Sequence, residues 1–288
     1  MTRYRPAVAV ALGLLATACT ASPEAAVPRT VLAAAPAPTK EVTQLVLPFD
    51  RYQLSVNDIY LIESAKDILT RACMKKRGYG YEAITHRKQY QDLRNRRRYG
   101  VIEIPVARKM GYRTNARLLG STDVTAQKMD RDARMSPAAR KAASDPTDGC
   151  YKLAGDRLAR GNEENEDLVN KLNVDSLDEA LKSPRVAPAV RAWGRCMKQR
   201  GHSYKDFYAA SEDPRWARTE KLSGAERETA VADVTCKEQA GLVTLLSETE
   251  RDIEERDIRG NKAYFSRLAA ARSRHLAAAR AVLRGAGD

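Results

Sequence analysis

Beyond residue 19 the chain holds four cysteines, and two of them open the same nine-residue run. Residues 73–81 read Cys-Met-Lys-Lys-Arg-Gly-Tyr-Gly-Tyr and residues 196–204 read Cys-Met-Lys-Gln-Arg-Gly-His-Ser-Tyr, with six of nine positions identical. The other two open a shared tail, Cys150-Tyr-Lys-Leu-Ala-Gly155 and Cys236-Lys-Glu-Gln-Ala-Gly241. Thiols placed like this can ligate a metal or form disulfides. Zinc ligands come as close pairs with further Cys or His nearby. Here every cysteine stands alone, and His86, His202 and His275 are scattered. The spacing argues against a metal and, in an exported chain, for disulfides. Four cysteines allow three connectivities. If the two runs are diverged copies of one unit, the duplication favours Cys73–Cys150 and Cys196–Cys236, one bridge within each copy.

Helices must carry these thiols. In the first copy Ser55, with Asp58 three residues on, forms an N-cap pair. Ile59, Ile62, Leu69, Ala72 and Cys73 then recur at helical spacing. Lys75, Lys76 and Arg77 sit in the last turn, at the negative end of the macrodipole, and Gly78 supplies the stop. In the second copy Ser183-Pro184 opens a helix, with Pro188 able to push its start later. Val186, Val190, Trp193 and Cys196 continue it to Gly201. Ile104–Met110 reads as a short helix, Ser136-Pro137 opens another, and Cys150–Arg160 and the stretch from Asn162 towards Leu181 read as two more. Ser223 with Glu226 forms a capping box. No proline follows, and the apolar stripe from Val231 to Leu283 predicts one very long helix or two joined near Gly260-Asn261. No strand pattern survives, so the expected class is all-α. The expected order is a first unit over 42–160 with a basic insert at 82–145, a linker helix and second unit from 161 to 222, and a long C-terminal helix over 223–285.

The first residues bear on the compartment. Arg3 and Arg5 precede an apolar run, Ala7–Thr17, too short to span a membrane and suited to a signal peptide over 1–18. The run ends Leu15-Ala-Thr-Ala-Cys19. This resembles a lipobox with Ala16 in place of the usual Leu, making Cys19 the lipidation candidate and a membrane anchor. Ordinary cleavage near Ala18 or Ala21 gives the alternative, a freely secreted protein. Residues 19–41 are Ala, Pro, Thr and Ser with few large apolar groups, the composition of a tether.

The chain carries 50 Lys/Arg against 37 Asp/Glu. Between Thr85 and Asp145 there are fifteen Lys/Arg and six Asp/Glu. Arg94, Arg96, Arg97 and Arg98 are nearly contiguous, with Tyr90, Tyr99 and Tyr112 nearby. Inside a cell such a cluster would suit nucleic acid. In an exported chain nucleic acid is not expected, and the cluster becomes a candidate contact for an anionic cell-wall polymer or lipid head groups. A solvated basic face is the structural reading. No Gly-x-Ser-x-Gly, His-Glu-x-x-His or phosphate-binding glycine loop is present, so no catalytic residue and no cofactor is assigned.

Several short motifs occur in one order: Leu47-Pro-Phe-Asp50, Cys73-Met74, Arg98-Tyr-Gly100, Ala107 with Gly111-Tyr112, Trp193 with Cys196-Met197, and Asp233 with Cys236-Lys-Glu238. Over roughly residues 45–260 this resembles a family of secreted actinobacterial proteins, many of them lipoproteins, that carry Cys-Met-x-x-x-Gly motifs. The resemblance implies export and cysteine pairing and transfers no catalytic residue. The expectation is therefore a membrane-anchored, non-enzymatic interaction or structural protein of the cell envelope. The alternatives are an accessory subunit of a membrane transport machine, docking through its terminal helix, and an envelope enzyme built on a carboxylate pair.

Overall fold

A computed structural model describes residues 35–286, apart from 87, 115–123, 163–164 and 219–220. The signal segment, Cys19 and most of the tether lie outside the described residues. Residue 35 onward belongs to one compact unit. Among the described residues the regular structure is helical throughout, with no strand.

The first stapled pair is α2 (Val56–Lys76) and α6 (Cys150–Ala159), joined by Cys73–Cys150. The second is α8 (Ala187–Gln199) and α10 (Gly224–Ala240), joined by Cys196–Cys236. The pairing favoured by the duplication is the one formed. Closing loops of 77 and 40 residues removes unfolded-state entropy worth about 4 kcal/mol per bridge. The two Cys-Met helices end alike. Gly78 (φ 81°) and Gly201 (φ 82°) take the left-handed conformation. The Tyr79 N–H then reaches Met74 O at 3.0 Å, and the His202 N–H reaches Met197 O at 2.9 Å. α2 starts as its capping box requires: Ser55 accepts from the Asp58 N–H while Asp58 accepts from the Ser55 N–H. In the second copy Ser183-Pro184 forms only a turn, and α8 begins three residues later with Pro188 in its first turn.

The copies do not stand as separate modules. Residues 93–112, the middle of the expected basic insert, run through the core of the second pair. This segment holds the 3-10 turn Arg94–Arg97 and α3 (Ile104–Met110). Tyr99, Val101 and Val106 are buried there with Trp193, Met197, Phe207 and Val234. Its flanks, α4 (Val124–Arg134) and α5 (Pro137–Ser144), stay with the first pair. α9 (Phe207–Ser211) closes over the same core.

The terminal segment is three helices. Gly241 (φ 59°) breaks α10 from α11 (Leu242–Gly260), and Asn261 breaks α11 from α12 (Lys262–Arg284). α11 packs on α7 (Asp167–Lys182). α12 folds back along the first pair. Its start sets Phe265 against Phe49 and Tyr52, and its end sets Val282 and Leu283 among Leu61, Ile62 and Leu69. The N-terminal piece is α1 (Lys40–Gln44) and the 3-10 turn Pro48–Tyr52. It bridges the two cores, with Val42 in one and Phe49 in the other. No described helix is long and apolar enough to cross a membrane.

Candidate functional site

The four arginines singled out by sequence form no outward patch. Each is drawn inward onto a different part of the chain. Arg96 is almost fully buried. Its Nε donates to Glu103 Oε2 at 2.6 Å and its Nη2 to Pro36 O at 2.8 Å. Arg98 pairs with the buried Glu250 and donates to Asn173 O at 2.6 Å, tying α11 to α7. Arg97 Nη2 donates to Tyr112 O at 2.8 Å, and burial pulls its guanidinium below the usual range. Arg94 is the outermost. It pairs with Asp92 and donates to Leu54 O at 3.0 Å and Gln53 Oε1 at 3.2 Å. A run expected to meet polyanions is thus an internal tie between the N-terminal piece, α3, α7 and α11. For Arg98 the reason is charge compensation at long range. Glu250 lies 152 residues away, so no local count reveals it.

Around this run the core holds further charged groups. Tyr99 Oη donates to Glu250 Oε2 at 2.7 Å, and burial followed by Glu250 pushes the phenol up. One helical turn on, Glu254 Oε2 accepts the Phe49 N–H at 2.7 Å. Burial pushes Glu254 up to about 8, assisted by neighbouring Glu250 and Asp50. Ser176 Oγ lies between the two carboxyls, 3.1 Å from Glu250 Oε1 and 3.4 Å from Glu254 Oε1. A proton on Glu254 Oε1 therefore has an acceptor in Ser176, whose hydroxyl can pass its own hydrogen to Glu250.

A second group sits on α10. Lys237 Nζ donates to Asp233 Oδ2 at 2.9 Å and to Val101 O at 3.0 Å, and Trp193 Nε1 donates to Asp233 Oδ1 at 2.9 Å. Burial raises Asp233 and lowers Lys237. A third group is in the first pair, where Asp67 accepts from Arg131 Nη1 at 2.7 Å, Tyr81 Oη at 2.8 Å and the Ile84 N–H at 2.7 Å.

Asp233 and Lys237 entered the sequence reading only as part of a motif and Tyr99 only as a neighbour of the arginines; Glu250, Glu254 and Asp67 were not singled out, although a signal was present. Glu250 and Glu254 fall in the same inward stripe as Leu246 and Ile253, and Asp233 and Lys237 fall beside Ala230, Val234 and Cys236. An acid placed four residues from another acid or a base at core positions marks a buried polar network.

Surface clefts lie apart from these groups, two of them at α7/α12 and at α9. One of about 600 Å³ lies between the start of α7 and α12, lined by Asp167, Tyr264, Arg267 and Arg274. The other, about 440 Å³, lies over α9 and includes Tyr204, Asp206, Tyr208 and Asp213. Beside the second, Arg215 grips Asp213 at 2.7 Å and holds its carboxyl far below the usual range. Neither cleft is lined by Glu250, Glu254, Asp233 or Asp67. The buried carboxylates named above are spent on internal partners, and among the described residues these two clefts bring together no acid and base poised for proton transfer. No family model, curated protein or solved structure matches this chain.

Proposed function

We propose that the chain is an extracytoplasmic protein of the cell envelope, tethered to the membrane through an acylated Cys19, that works by binding rather than catalysis. The observation that carries this reading is the pair of disulfides. Each joins segments far apart in sequence inside a helical pair, an arrangement that belongs to an oxidising compartment. The apolar run before Cys19 supplies the export signal, and residues 19–41 supply the tether. The internal spending of buried acids and bases supports binding over catalysis. Docking on a membrane machine through the terminal helix has less support, because the apolar stripe of α12 is occupied by α2 and α6. Intact mass and non-reducing peptide mapping of protein from an actinobacterial host test the reading. The expected product begins at acylated Cys19 and carries both bridges. An uncleaved N-terminus with free thiols overturns it.

A further inference from the structure

Removing Arg94–Arg98 from the surface raises the question of where the chain's excess positive charge points. Between Ser183 and Lys205 there are six Lys/Arg and no Asp/Glu. α8 lies within this stretch. Its inward face buries Ala189, Trp193 and Met197. Its outward face carries Arg191, Arg195 and Lys198, all exposed. Their spacing of four and then three residues puts them on one stripe about 10 Å long. Among the described residues no ion pair holds any of the three, whereas Arg185, just before the helix, is spent on Glu248 and Asp252. Arg200 extends the exposed basic run past the last turn.

The place where the chain enters the fold lies at the same end. Thr39 N–H donates to Glu103 Oε1 at 2.9 Å, and Pro36 O is held by Arg96. Glu41, in the first turn of α1, is raised by burial and by its proximity to Glu238 in the last turn of α10. The next residue, Gln239, contacts Cys196 Sγ at 3.2 Å, and Cys196 sits between Arg195 and Lys198. From Cys19 to Ala35 is sixteen residues, which reach at most about 55 Å. A body held that close meets the membrane again and again, at an effective concentration in the millimolar range.

We propose that the Arg191–Arg195–Lys198 face of α8 docks on the anionic surface of the membrane that carries the tether. The body would lie down on the bilayer instead of swinging free. The proposal rests on the tethered reading above, and the physical logic is additive. An acyl anchor and a basic face are two membrane signals, and each cation near an anionic surface contributes about five-fold in affinity. The contact is electrostatic and shallow, because the apolar side of α8 is committed to the core.

The test uses the mature chain from residue 20 onward, which contains the whole compact unit and no acyl group. Binding is measured by sedimentation with vesicles of about 30 mol % phosphatidylglycerol in phosphatidylcholine, with phosphatidylcholine alone, and with soluble polyphosphate as the polymer probe. The expected result is binding to the phosphatidylglycerol vesicles that weakens steeply between about 50 and 200 mM salt, and none to phosphatidylcholine. The R191Q/R195Q/K198Q variant should lose about 100-fold. The control R280Q/R284Q, at the exposed end of α12, should stay within about two-fold. All five substitutions are on exposed side chains, and an unchanged helical spectrum and melting temperature confirm that each variant is folded. The proposal is overturned if the triple variant binds as tightly as the parent, if the loss follows R280Q/R284Q instead, or if polyphosphate is bound and the vesicles are not. Absence of an acyl group at Cys19 by mass would remove the tether without altering these readouts, so the two proposals fail separately.

Discussion

Replacing Glu254 with Gln should make the fold progressively more stable than the parent as pH rises. In the folded chain Glu254 is buried at 0% exposure, close to the Glu250–Arg98 pair, and titrates near pH 8 against an ordinary value of 4.5. Between those two values the folded chain holds one proton that the unfolded chain has lost. Stability therefore falls as pH rises through the window, by about 1.4 kcal/mol per unit, and levels off above the folded value. From pH 5 to pH 7 the loss is roughly 3 kcal/mol. Gln keeps the geometry. Its carbonyl oxygen accepts the Phe49 N–H, and its amide replaces the carboxyl proton facing Ser176. It cannot ionise, so this part of the slope disappears. The assay is urea unfolding of parent and variant, followed by far-ultraviolet circular dichroism at pH 5, 7 and 9 and constant ionic strength. Asp50 and Asp233, also raised by burial, act in the same direction but cancel in the difference. The stability of E254Q relative to the parent should climb by roughly 3 kcal/mol from pH 5 to pH 7, then change little beyond pH 8. A difference that stays flat from pH 5 to 9, or that turns against the variant as pH rises, would refute the reasoning.

Three further outcomes are expected. Arg98→Gln strands Glu250 in the core and should cost 3–5 kcal/mol by urea unfolding (about the usual cost of orphaning a buried charge), whereas the outer Arg94→Gln should cost about 1 kcal/mol. The opposite order would mean that the arginines face solvent after all. The C196A/C236A double variant should lose about 4 kcal/mol, measured as a lowered urea midpoint, and an unchanged midpoint would argue against a bridge that closes a long loop. Gly241→Ala should cost about 1 kcal/mol from left-handed backbone alone, since the added methyl meets nothing within 4 Å. A stabilising effect in thermal melts would mean that α10 and α11 run on as one helix.

Much of the local architecture was legible from single stretches. Ser55 with Asp58, Gly78 and Gly201 bound their helices because caps and stops depend on residues within one turn. The disulfide pairing was legible because the duplication repeats it, and the all-helical class followed from apolar spacing. The arginine run was misjudged for the complementary reason. Arg94, Arg96, Arg97 and Arg98 read as a surface patch when counted with their neighbours, yet Glu103 and Glu250 neutralise two of them inside the core. The expected insert failed in the same way, because Tyr99, Val101 and Val106 are buried against Trp193, Phe207 and Val234 on α8, α9 and α10, about a hundred residues further along the chain.

Gly155 and Gly241 divide the two kinds of information. Both end the same Cys-x-x-x-Ala-Gly tail, and local spacing was enough to predict each tail helical and to favour a bridge at each cysteine. Gly155 continues α6 without interruption, while Gly241 turns left-handed and sends α11 off against α7. Glycine tolerates either conformation at small cost, so nothing local chooses between them. Burial chooses. α6 ends after a few more residues against α2 and α12, whereas Leu242, Leu246 and Ile253 must reach the central core, with Glu250 brought to Arg98 on the way. Tertiary structure alone decided which of two identical glycines bends, because the energy that bends it comes from partners more than a hundred residues away.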